Sequence, residues 1–325
     1  MRVGLLAPVF IAALTAASAA HSQAAPAASA DPVEQKLQAD RSAAVTSGDH
    51  AAQMTIDLQI AHREGLRGRF EAARAMLAQV AAELRPEDTA PHAQYELELG
   101  RVIRTGGDPV AATPHFEQAL EIAKAGKHDA LAVDAAHMLA IVATDPAQQI
   151  ARGRAAIALA EQSADPKARA WLGILWNNLG ETFDDARRYG DALGAYSKAR
   201  AICTADACAR VADWKLARVH RELGDYAKAL SMLASLEQRW SKLGPRTQPA
   251  FDEGDGIDYV YEEMGRVHLA LADAHPAVGA KERAAARAYF AKAYAELAAA
   301  QKTQGAVAPD LSDLPRLEAL KNLAQ

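Results

Sequence analysis

The residues whose types and spacing bear most directly on chemistry are two cysteines, ten histidines and a short acidic run. Cys203 and Cys208 stand in Cys203-Thr204-Ala205-Asp206-Ala207-Cys208, close enough to meet across a turn. In an exported chain such a pair is most simply a structural disulfide; two free thiols, or a redox or metal role, are the other uses. A thioredoxin-like motif would have only two residues between its cysteines and a strand before them, and this stretch has neither. His62-Arg63-Glu64 lacks the second histidine of a zinc-protease helix. Asp252, Asp255, Asp258 and Glu262 share acidity with a calcium loop but not its glycine or its oxygen-ligand spacing, and read as a solvated loop. No glycine-rich phosphate loop, serine-nucleophile elbow or acid pair in a recognisable catalytic setting occurs. The expectation is a non-enzyme with no cofactor and no metal.

The elements that would carry these residues are helices. Half of the residues are hydrophobic, yet only 6% are aromatic, and the apolar material is mostly alanine and then leucine. Alanine has the highest helix propensity and lets helices pack closely. Valine and isoleucine nowhere alternate with polar residues over a strand's length, so nothing argues for a sheet. The formal charge of −5 excludes a strongly basic nucleic-acid binder.

At the N-terminus, Met1-Arg2-Val3-Gly4, an apolar stretch from Leu5 to Leu14 and small residues from Ala16 to Ala20 read as a secretory signal peptide; the alternative, a transmembrane anchor, would need an apolar stretch of about 20 residues, and this one is far shorter. Ala17-Ser18-Ala19 and Ser22-Gln23-Ala24 both satisfy the small-x-small cleavage rule. The second is favoured because Ala25-Pro26 follows, which gives a signal peptide over residues 1–24. No cysteine stands at either site to carry a lipid, so a periplasmic or secreted protein is expected. Ala25 to Asp31 reads as a flexible mature N-terminus, residues 32–53 as an N-terminal capping helix, and residues 301–325 as a linker and C-terminal capping helix.

Between these ends the sequence repeats itself. The clearest unit is Trp176-Asn177-Asn178-Leu179-Gly180, then Phe183, Tyr189, Ala192, Tyr196 and Ala199. Gly180 and Ala192 would let two antiparallel helices approach, with Phe183 and Tyr196 filling the space beside them. This unit resembles the tetratricopeptide repeat at each main position of its pattern. Gly68-Arg69-Phe70-Glu71-Ala72-Ala73 and Gly224-Asp225-Tyr226-Ala227-Lys228-Ala229 look like the turns of related units. Leu99-Gly100 with Ala112, Phe116 and Ala119 forms another. A weaker one has Ala140, Gly153, Ile157 and Ala160, and the last has Met264-Gly265, Ala286, Phe290 and Ala293 around an enlarged turn at His275-Pro276. The packing positions Ala73, Ala112, Gly153, Ala192 and Ala229 are separated by 39, 41, 39 and 37 residues. That period resembles the longer repeats of kinesin light chains. The expectation is an all-α solenoid of about six antiparallel helix pairs over residues 54–300, in which stacking supplies the core that one hairpin cannot.

The resemblance also implies a binding surface, because in the tetratricopeptide family the first helix of each pair lines a concave groove. In register, His62, Arg101, Arg218 and Arg266 share one position, with Val142 and Glu181 in the other two units. Near them come Arg104, Asn177, Asp184, Trp214, Arg221, Tyr259 and Glu262. Arginine forks interleaved with Trp214 and Tyr259 suit a protein or an extended peptide, acidic or C-terminal; the other reading is a solvated charged face. Asn177 and Asn178 partly fit the family's carboxylate-binding groove, but the basic partners are arranged differently. His220 and His268 recur at one repeat position and are expected to be partly buried and structural. The implied function is a non-catalytic scaffold or adaptor, with an accessory subunit of an envelope enzyme or secretion machine as the alternative. Ala195, off the family's pattern, is expected to face solvent or a looser contact.

Overall fold

The computed structural model describes residues 32–85, 87–243, 254–304 and 314–325. The signal peptide, the Ala25–Asp31 segment and Asp252 of the acidic run lie outside the described residues. Among the described residues every regular element is a helix.

The chain divides into two compact units, Met1–Ile56 and Asp57–Gln325. The described part of the first holds α1 (Pro32–Ser47) and the start of α2 (His50–Leu66), whose N-terminus is capped by Asp49 accepting from the Ala52 N–H at 3.0 Å. The second holds the rest of α2, then α3 (Phe70–Glu83), α4 (Thr89–Thr105), α5 (Pro109–Ala125), α6 (Asp129–Val142) and α7 (Pro146–Gln162). A single turn, α8 (Pro166–Arg169), precedes α9 (Leu172–Asp185), α10 (Tyr189–Ile202), α11 (Asp206–Glu222) and α12 (Tyr226–Ser241). Next are α13 (Ile257–Ala274), a 3-10 turn at Pro276–Val278, α14 (Gly279–Gln304) and α15 (Leu314–Leu323). Six successive helix pairs follow, from α2/α3 to α13/α14.

Local sequence sets where these helices stop and start. Gly68, Gly107 and Gly224 take positive φ just past α2, α4 and α11. The next N–H groups, of Arg69, Asp108 and Asp225, then reach back to the carbonyls of Glu64, Ile103 and His220, a capping geometry that costs glycine no steric strain. Asp108, Asp145 and Asp225 then accept from the N–H groups of Ala111, Gln148 and Lys228, which opens α5, α7 and α12.

The core of the second unit is built from small residues facing rings. Ala73, Ala112, Ala192, Ala229 and Ala286 are fully buried. Gly100, Gly180 and Gly265 each lie under a ring from the partner helix, that of Phe116, Tyr196 and Phe290 respectively. Two sequence expectations change here. Gly180 lies under the Tyr196 ring itself, which the sequence pattern places only in the space beside it. Ala195 is buried in the core instead of facing solvent, because it lies one turn before Ala199 on the same packed stripe.

The third pair also shifts. α7 begins at Pro146 as α5 begins at Pro109, so Gln149, not Gly153, stands where Ala112 does. Gly153 falls one turn later, at the position of Phe116, and the extra residues before the fourth pair form α8. Val142 therefore leaves the shared first-helix position, which belongs to Met138; both are buried.

Candidate functional site

Within the second unit, first helices touch the next first helix, as α4 touches α6 and α11 touches α13. Their common face collects the polar residues picked out by the repeat register: Arg101 and Arg104 on α4, Asn177 and Glu181 on α9, Trp214, Arg218 and Arg221 on α11, and Tyr259 and Arg266 on α13.

Most of these side chains are already engaged with one another across successive pairs. His62 meets Glu98 at 2.7 Å, and Arg101 bridges from Glu98, at 2.7 Å, to Asp134 on α6. Lys215 donates to Glu181 and to Asn177, while Arg218 pairs with Asp184 at 2.8 Å. Arg221 donates to Glu263 on α13 at 2.5 Å, and Arg210 reaches Asp255 at 3.1 Å. Arg316 on α15 lies 3.6 Å over the Tyr259 ring and pairs with Asp258 at 2.6 Å and Glu262 at 2.7 Å. Trp214 is buried against the Gly254 backbone and donates its indole N–H to the Tyr259 carbonyl at 3.1 Å. The histidines in question are engaged likewise: His268 meets Glu282 at 2.6 Å and stacks on Tyr289, and His220 lies 3.4 Å from Asp225.

Burial sets the charge states along this ladder. It pushes the carboxyls of Asp134, Asp184 and Glu263 above their ordinary values, only partly offset by Arg101, Arg218 and Arg221 respectively. Glu262 goes the other way: burial raises it, but Arg316 and Arg266 together hold it below the usual range. Burial lowers His137 to about 4, with Arg101 and Arg104 adding to the effect.

Two arginines differ from the rest. Arg104 is exposed and makes no ion pair among the described residues. Arg266 is 51% exposed, and its partner Glu262 also has Arg316. Turning Arg101, Arg218 or Arg221 toward a ligand would strand a buried carboxylate, a change costing several kcal/mol; turning Arg266 would not. Sequence reading missed Lys215, Arg316, Glu98, Asp134 and Glu263. Their signal is opposite charge recurring at roughly one repeat's distance, visible only once the register is right.

Several clefts open among these helices, three of which bear on the face. One of about 520 Å³ lies between α11, α13 and α15, lined by Trp214, Arg218, Tyr259, Glu262, Arg266 and Arg316 among others. A mainly apolar one of about 310 Å³ lies between α9, α10 and α11, with Ile174, Val211 and the Cys203–Cys208 disulfide in its wall. The third, of about 290 Å³, lies between α6, α7 and α9. The disulfide joins the end of α10 to the start of α11 with a Cα–Cα distance of 5.6 Å. No group of three or more side chains that could hold a metal occurs among the described residues, and no described helix is long and apolar enough to cross a membrane.

No protein-family model matches the sequence, and no curated protein is similar to it. Among solved structures, BtubC (BKLC) from P. vanneervenii is 18% identical with a TM-score of 0.53, covering 67% of this chain and 94% of its own. A putative kinesin light chain with nearly identical TPR-like repeats from Podosopora anserina appears twice. A single-substitution variant of it is 18% identical over 60% of this chain and 97% of its own with a TM-score of 0.47, and a second structure is 16% identical over 75% and 97% with a TM-score of 0.34. With its six helix pairs, this chain has a tetratricopeptide-type solenoid fold.

Proposed function

We propose that this chain is a non-catalytic scaffold that binds a protein or an extended peptide on the face of its first helices, the concave side in such solenoids. The observation that carries the reading is the cleft at Trp214 and Tyr259. It is large enough for several side chains, is lined by Trp214 and Tyr259, and has at its rim one arginine, Arg266, able to change partners without leaving Glu262 unpaired, since Arg316 also holds it. Arg104 offers a second free cation on the same face. A partner segment bearing carboxylates, including a C-terminal one, satisfies both. Arg101, Arg218, Arg221, Asn177 and Glu181 then serve mainly to fix the geometry of the face. An exported, periplasmic setting accords with the disulfide, because such bonds persist in oxidising compartments.

The test places a photo-crosslinking amino acid at Arg104, at Arg266 and, on the opposite side, at exposed Glu117 of α5, in cells expressing the full chain. Adducts at the first two positions that disappear on charge reversal of the remaining arginine support the reading. Adducts confined to Glu117, or indifferent to charge reversal, overturn it.

A further inference from the structure

Five of the six pairs follow one packing rule, and the third reverses it. At sixteen residues' separation the pairs read Ala61 and Leu77, Gly100 and Phe116, Gly180 and Tyr196, Ala217 and Leu233, a small residue on the first helix and a large one on the second. Gly265 and Phe290 repeat the arrangement across the longer last turn. In the third pair the same two positions hold His137 and Gly153, so the large group sits on the first helix and the second has none.

The reversal leaves space. His137 turns toward Trp171, with ring centroids 5.5 Å apart, and a Cβ placed on Gly153 would meet only Leu179 Cδ1, at 3.5 Å. The result is the 290 Å³ cleft, with Ile141, Leu175 and Leu179 in its walls and Glu181 and Asp185 at its rim. No lysine or arginine lines it. Asp185 is exposed and has no ion-pair partner among the described residues. The ion-pair ladder also stops here: among the described residues, no ion pair joins α6 to α9, although ion pairs bridge the α4–α6, α9–α11 and α11–α13 steps and His62 meets Glu98 across α2–α4.

We propose that this cleft is the docking point for a partner segment in which a large apolar side chain, of aromatic size, stands beside a lysine or arginine. The apolar group fills the open space beside Gly153, and the cation meets Asp185, with Glu181, already held by Lys215, next to it. The proposal rests on the binding reading above and adds the chemistry that its middle section selects.

Methyl NMR of the full chain, titrated with the blocked tetrapeptide acetyl-Gly-Trp-Lys-Gly-amide, tests it. Methyl signals of Ile141, Leu175 and Leu179 should shift and saturate. Replacing Trp by Ala in the probe should weaken binding by about tenfold or more, and replacing Lys by Glu should weaken it too. Gly153→Phe projects a ring from the wall into the cleft and should abolish the shifts while keeping helical content. Asp185→Lys, at the exposed end of α9, should weaken the Trp-Lys probe and improve the Trp-Glu one, and it decides the matter if Gly153→Phe does not fold. Static methyl signals at millimolar peptide, or undiminished binding by both variants, overturn the proposal. If either occurs while crosslinking at Arg104 and Arg266 persists, only this inference falls and the wider binding function stands.

Discussion

The ring of Tyr196 covers Gly180 so closely that a Cβ atom there would lie 2.5 Å from Cδ1. Tyr196 is itself fully buried and cannot withdraw. Gly180→Ala should therefore force α9 and α10 apart and lower stability by about 1–3 kcal/mol. Gly153→Ala should do the opposite: a methyl fits there, and replacing a mid-helix glycine gains about 0.5–1 kcal/mol. Thermal melts of the two variants check the pair, and shifts of the same sign would refute the packing rule.

That contrast also shows what the sequence could reveal. Gly180 with Tyr196, and Gly100 with Phe116, are local pairs of small and large residues, and with Gly68, Gly107 and Gly224 past the helix ends they make the repeat legible without coordinates. The third unit had no such pair. Gly153 lies one turn beyond the packing position, α8 adds residues that the repeat period does not distinguish, and Met138, not Val142, holds the shared position. The arginines of the face were also legible as types and positions, but not their engagement. Whether Arg221 is free depends on Glu263, 42 residues away, on a helix whose register no local pattern sets.

His137 gives the fold a titration that can be isolated. Burial holds its folded value at about 4, against an ordinary 6.5, so the folded state keeps it neutral. Its contribution is fully present above 6.5 and is lost as pH falls from 6.5 toward 4, up to about 3 kcal/mol. Asp134, Asp184 and Glu263, whose values are raised, oppose this trend in acid because the folded state takes up their protons first. The comparison is therefore with His137→Gln. Urea unfolding of the two proteins at pH 7.5 and 4.5 should show the variant losing less stability on acidification, and parallel losses would contradict the assignment.

Cys203 and Cys208 should resist alkylation in the native protein until it is reduced. The closed loop is short, so the chain-entropy model gives the bond about 2 kcal/mol. Because the bond ties the end of α10 to the start of α11, faster hydrogen exchange on reduction should begin in those two turns. Ready alkylation of both thiols without reductant would count against the bond.

The ion-pair ladder predicts strong coupling where it is buried. The Glu263 side chain is only 2% exposed, and burial already pushes its carboxyl upward with Arg221 as its main counterweight. Arg221→Met should cost about 3–5 kcal/mol, because it leaves a buried carboxylate that must go unpaired or take up a proton. Adding Glu263→Met removes the stranded group, so the double variant should recover most of that loss and lie near the wild type. The exposed Lys36–Asp40 pair on α1, cut in the same way, should change the melt little. Denaturant unfolding of the four members of the Arg221/Glu263 cycle measures the coupling. Additive effects would mean that Arg221 is independent of Glu263 and free to meet a ligand. Strong coupling would make it a fixed strut, and would leave Arg104 and Arg266 as the cations of this face that a partner can recruit.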